Sequence, residues 1–171
     1  MIKIKEIEQK AKEILSQLNI KKAPVPIEKI AKKIGLSIDK GIFGDTISGF
    51  LLTKENKNII AVKSTESEVR QRFTIAHELG HYLFHSNKVD DIFISNVLFR
   101  NESSSTGEIR MEREANSFAA AILMPVDFIK EEIDKLDNRL TVEDAIKQLS
   151  KKFHVSEVAM TYRLTNLGYN I

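Results

Sequence analysis

Arg72-Phe73-Thr74-Ile75-Ala76-His77-Glu78-Leu79-Gly80-His81-Tyr82-Leu83-Phe84-His85 sets two histidines in a helical stretch that is otherwise largely apolar. Phe73, Ile75, Ala76, Leu79, Leu83 and Phe84 surround the pair, so the helix is expected to be mostly buried. Upstream, Ser64 to Glu68 reads as its start, because Thr65 and Glu68 have the spacing of a capping box. His77 and His81 are four residues apart and leave one face of the helix, one turn from each other. Two imidazoles so placed reach one ion at the ~2.0–2.1 Å that zinc requires. Glu78 lies about 100° further round the helix. It is poorly placed as a ligand, but it flanks the open position of such an ion, where a carboxylate takes a proton from water. A buried imidazole pair needs partners, and that argues for a metal site over a chance pair of surface histidines. Gly80 costs ~1 kcal/mol relative to Ala in a helix. Close packing of the site or of the sheet against that face accounts for it.

The third ligand is open to elimination. The long zinc signature needs glycine three residues past the second histidine and histidine six past it, but those places hold Phe84 and Asn87. The chain has no cysteine, which excludes the deformylase ligand set, thiolate zinc fingers, disulfides and thiol nucleophiles together. A carboxylate from a later helix remains, and Ile109 to Ala119 supplies two. Glu114 shares a face with Phe118 at i, i+4 and so turns to the apolar side, whereas Glu112 lies about 160° away and is expected to face water. Glu114 is therefore preferred. His85, a further turn along, reads either as a partner behind the ligands or as a hydrogen-bonded core residue. His154 reads as structural.

The remainder is an ordinary globular chain. Of 171 residues, 42% are hydrophobic and 29% charged, which excludes disorder and fibrous repeats. Lys and Arg number 26 against 24 Asp and Glu, a net +2 that makes no case for a dedicated nucleic-acid binder. Neither a signal peptide nor an apolar run of the ~20 residues needed for a membrane span is visible, so a cytoplasmic protein is expected.

Helices are expected to about Leu18, over Ile27 to Ile34 with a stop at Gly35, from Glu108 to Met124, and at about Val126–Leu136, Val142–Phe153 and Glu157–Leu167. Ser48–Thr53 and Asn58–Val62 read as a hairpin. Short strands are expected at Ile92–Ile94 and Val97–Phe99 in an otherwise irregular Ser86–Gly107 connection, of which Asn101–Gly107 is the most loop-like part. The fold class is α+β, a small zincin-like domain with helices around a small mixed or antiparallel sheet. The organisation expected is a metallopeptidase domain over 1–136 and a helical, helix-turn-helix-like subdomain over 137–171 packed on it.

These motifs resemble the ImmA/IrrE family of small gluzincin-type metallopeptidases. His77-Glu78-Leu79-Gly80-His81 with Leu83 and His85 carries the resemblance, as does Glu114-Ala115-Asn116-x-Phe118-Ala119-x-x-Ile122-Leu123-Met124-Pro125. Pro24 to Gly35, Ile47-Ser48-Gly49 and Val155 to Gly168 fit as well. The resemblance implies zinc (Zn2+) on His77, His81 and Glu114, with Glu78 as catalytic base. It also implies a cytosolic endopeptidase that cleaves a helix-turn-helix repressor, often encoded nearby, as an anti-repressor. Some relatives have a C-terminal sensory domain, which this chain is expected to lack. Tyr82, His85 and Tyr162 are the candidates for a second oxyanion donor.

Two other readings compete. The last two helices form a helix-turn-helix-like pair, which suggests a non-proteolytic zinc regulator that binds a repressor or DNA. Against DNA, the second of them carries one cation, Arg163. Ferrous iron also accepts two histidines and a carboxylate, but an oxygenase has no need of Glu78.

Overall fold

The computed structural model describes residues 2–44, 46–54, 57–85, 91–96 and 106–169. It is α+β: α1 (Ile4–Gln17), α2 (Ile27–Ile34), β1 (Ser37–Gly41), β2 (Ile47–Lys54), β3 (Lys57–Lys63), α3 (Glu68–His85), β4 (Asp91–Asn96), α4 (Thr106–Leu123), α5 (Val126–Ile133), α6 (Val142–Phe153) and α7 (Glu157–Asn166). The Val97–Phe99 strand, the centre of the hairpin turn and most of the Asn101–Gly107 loop lie outside the described residues.

The sheet has the order β1-β3-β2-β4. β1 runs parallel to β3, while β2 is antiparallel to both β3 and β4. β2 and β3 are thus interior, and β1 and β4 form the edges among the described residues. Leu51, Ile60 and Val62 turn inward from the interior strands and are fully buried. They join Ile7 and Leu15 of α1, Ile27 and Ile30 of α2, Ile75 and Leu79 of α3, and Phe118 and Ile122 of α4 in one apolar cluster. Phe153 of α6 and Met160 and Leu164 of α7 belong to the same cluster, so the C-terminal helices share the core.

Local signals explain most of the boundaries. α2 stops at Gly35, whose φ of 105° is left-handed. Thr141 Oγ1 accepts from the Asp144 amide, and Ser156 Oγ from the Ala159 amide, capping α6 and α7. α3 begins later than the Thr65–Glu68 spacing suggests. Ser64 N donates to Gly41 O at 2.8 Å and Glu66 N to Lys63 O, so this segment is the turn that leaves β3. Glu66 accepts from Ser48 Oγ at 2.7 Å. Ser67 then caps the helix, its Oγ accepting from the Arg70 amide. α4 begins earlier than expected, and Thr106 and Gly107 are helical rather than loop.

The turn between α6 and α7 is pinned from outside. His154 adopts φ 56°, ψ 53° at the end of α6. Its carbonyl accepts from Arg72 Nε at 3.1 Å, and Arg72 also donates to Val25 O at 2.8 Å. This is a structural role. No described helix is long and apolar enough to cross a membrane.

Candidate metal centre

α3 and α4 cross at Gly80. A β-carbon there would lie 3.1 Å from Ala115 Cα and 3.3 Å from its carbonyl oxygen, so the glycine lets two backbones approach. Close packing is the explanation, and the partner is α4 rather than the sheet. The crossing brings His77 and His81 of α3 against Glu112, Ala115 and Asn116 of α4. Both imidazoles are buried, at 5% and 2% exposure, and Glu78 is 0% exposed.

Three donor atoms converge. His77 Nε2 and His81 Nε2 are 3.0 Å apart. Glu112 closes the triangle, with Oε2 3.2 Å from His77 Nε2 and Oε1 3.0 Å from His81 Nε2. Donors held tetrahedrally at ~2.0–2.1 Å from one ion lie about 3.3 Å from each other. The triangle is therefore close to metal-ready, and these three are the residues that could hold an ion among those described.

The next layer supports that reading. His77 Nδ1 lies 2.9 Å from Asn116 Oδ1, an acceptor, so Nδ1 carries a proton and Nε2 is the nitrogen that would meet an ion in the triangle.

Glu114 is placed elsewhere. Its Oε2 is 3.0 Å from His85 Nε2, and its Oε1 accepts from the Ile2 amide at 3.0 Å. The expectation that Glu114 joins His77 and His81 does not match this geometry; Glu112 stands in that position. The physical reason is that α4 is covered on two sides, by α3 and by the start of α1. A carboxylate beside Phe118 is therefore buried without facing the imidazole pair. Asn116 at i+4 from Glu112 was the usable signal, since the two share the face that meets α3.

Charge follows the contacts. Burial alone raises the Glu112 pKa, but hydrogen bonds from His77 and His81, reinforced by their charge, outweigh it and lower it to about 2. Burial depresses His77, yet the hydrogen bond to Glu112 and the charges of Glu78 and Glu112 leave it raised. His81 is lowered by burial, with repulsion from His77 and His85 opposing its bond to Glu112.

His85 lies behind His81, its Nδ1 3.2 Å from His81 Nδ1, so both ring nitrogens are committed and it offers no free donor to a substrate. Tyr82 Oη accepts from Asn58 Nδ2 on β3. Tyr162 is exposed on α7 and lines a cavity of about 660 Å³ together with Phe73 and Asn116. Phe73 stacks one turn before His77, ring centroids 6.4 Å apart, so the cavity lies beside the metal triangle.

The family model for the peptidase M78 family, described as the IrrE N-terminal-like domain, matches residues 32–165. The chain belongs to this family. Its match takes in the histidine pair, Glu78 and both α4 carboxylates. Among curated proteins the chain is similar to the radiation response metalloprotease IrrE of Deinococcus radiodurans, with 33% identity over 108 residues, 63% of this chain and 31% of that protein. The Deinococcus deserti protein of the same name is 31% identical over 107 residues, 63% of this chain and 36% of that protein. The chain thus spans about a third of the length of these relatives in the matched region. A Mycobacterium tuberculosis transcriptional regulator shares the fold at a TM-score of 0.64 and 16% identity, covering 94% of this chain and 46% of that one.

Proposed function

We propose that the chain is a zinc-dependent endopeptidase whose substrate is a helix-turn-helix transcriptional repressor. One observation carries the reading: two buried Nε2 atoms and the Glu112 carboxylate converge within 3.2 Å, with Glu78 buried on the same helix. Family membership and the names of the IrrE relatives support the peptidase chemistry. The repressor as substrate follows from the family resemblance of the motifs.

His77, His81 and Glu112 would hold the ion, a nitrogen and oxygen set that suits zinc. When bound, zinc supplies a Lewis acid that polarises a peptide carbonyl and activates water. Glu78 takes the proton of the attacking water and passes it to the leaving amine. Asn116 fixes the His77 ring. The cavity bordered by Phe73, Asn116 and Tyr162 gives substrate side chains a place beside the reacting bond.

Intact mass spectrometry of a repressor encoded beside this protein tests the proposal. Incubation with the zinc-loaded wild type is expected to give discrete fragments, and incubation with Glu78→Gln none. No fragments from either, with the two proteins co-purifying, would favour a regulator that docks without cutting. Equal cleavage by both would remove Glu78 as the base.

A further inference from the structure

We propose that His85 and Glu114 act as positioning residues behind the metal centre, a relay that fixes the tautomer of His81 so that its Nε2 lone pair faces Glu112 and His77. Both the tautomer and its consequence for metal affinity rest on the metal reading above, because without an ion His81 Nε2 donates to Glu112.

Counting protons along the chain of contacts fixes the order of donors and acceptors. A carboxylate only accepts, so the 3.0 Å contact between Glu114 Oε2 and His85 Nε2 places a proton on that nitrogen. An ion on His81 Nε2 leaves the His81 ring proton on Nδ1, where His85 accepts it through its own Nδ1. Its Nδ1 faces His81 Nδ1 at 3.2 Å, so the proton between them belongs to His81. His81, protonated at Nδ1, leaves Nε2 as a lone pair, and Nε2 is the atom 3.0 Å from both His77 Nε2 and Glu112 Oε1.

The far end of the relay is anchored. Glu114 Oε1 accepts from the Ile2 backbone amide at 3.0 Å, and Arg110 Nε lies 3.9 Å from the same oxygen. The side chains of His85 and Glu114 are 5% and 8% exposed. A carboxylate so buried is costly unless both oxygens are satisfied, and here both are. Asn116 does for His77 what His85 does for His81. Partners of this kind orient metal-binding imidazoles and raise their basicity, and losing one typically lowers metal affinity 10- to 100-fold.

The test uses the full chain with 15N-labelled histidines. Long-range 1H–15N correlation of the zinc-loaded wild type is expected to show His81 protonated at Nδ1 and His85 at Nε2. Zinc affinity is then measured by competition with a chromophoric chelator. His85→Phe is expected to lose the His81 tautomer preference and about 10- to 100-fold in affinity. His85→Gln, whose amide oxygen can accept from His81 Nδ1, is expected to recover most of both. Glu114→Gln provides the second variant should His85→Phe fail to fold.

His81 protonated at Nε2 in the zinc-loaded wild type would overturn the relay. So would a folded His85→Phe with unchanged zinc affinity. A wild type that takes up no zinc would refute the metal reading and the relay with it, whereas zinc uptake with His81 protonated at Nε2 would refute the relay alone.

Discussion

Glu112 and Glu114, two positions apart on α4, hold different histidines of α3: Glu112 reaches His77 and His81, and Glu114 reaches His85. Substitution should separate the two roles. Glu112→Gln replaces a charged donor within the triangle, while Glu114→Gln weakens a contact one residue removed from it. We expect Glu112→Gln to lose far more zinc affinity than the 10- to 100-fold expected of Glu114→Gln. Parallel chelator competitions measure both, and the reverse order would exchange their roles.

Gly80 sets the distance between the two helices. Alanine gains ~1 kcal/mol in helix propensity, but its β-carbon would meet Ala115 backbone at 3.1 Å, an atom that cannot swing aside. Overpacking of this kind costs roughly 1–3 kcal/mol. Gly80→Ala is therefore expected to be destabilised on the order of 1 kcal/mol net, and to bind zinc more weakly as Glu112 and Asn116 shift. Urea unfolding of the metal-free protein reads the first effect. A variant more stable than wild type would show that the crossing has slack.

Acid should act through Glu112. Its pKa is lowered from 4.5 to about 2 in the folded, metal-free protein. Its contribution to stability is therefore fully present above about 4.5 and is lost as pH falls toward 2. The stability difference between wild type and Glu112→Gln should shrink steadily across that window. Denaturant unfolding at pH 6, 4 and 2.5 measures it, and a constant difference would mean that Glu112 carries no proton-linked stabilisation.

Arg163 tests the competing DNA reading. It donates to Met124 O at 3.0 Å and binds both oxygens of Glu8, with its side chain 6% exposed. The single cation of α7 is thus spent on holding α7 to α1 and the end of α4. Arg163→Leu should destabilise by about 3 kcal/mol, because it leaves Glu8 and a carbonyl without their donor. Thermal unfolding measures that loss. Salt-dependent DNA binding by the wild type that vanishes in a folded Arg163→Leu would contradict this role.

The histidine pair was legible because spacing alone puts i and i+4 on one face, and that holds in any environment. The burial of Glu78 was legible from the apolar residues around it on the same helix. The choice between Glu112 and Glu114 was not, since it depends on which side of α4 meets α3 and which meets α1. Phe118 reports burial without naming the neighbour.

β1 escaped the sequence because Ser37-Ile38-Asp39-Lys40-Gly41 shows little apolar alternation; its pairing with β3 holds it in the sheet. Helices α6 and α7 were readable nearly to the residue, since Thr141 and Ser156 cap them locally. α3 was misread at its start because the strand-to-helix turn claims Ser64 and Glu66 for contacts with Gly41 and Ser48.

Anomalous X-ray diffraction from crystals of the zinc-loaded protein, recorded on either side of the zinc edge, tests the central assignment most directly. One peak is expected about 2.0–2.1 Å from His77 Nε2, His81 Nε2 and a Glu112 oxygen, with Glu114 still on His85. A peak ligated by Glu114, or none at the histidine pair, would contradict it.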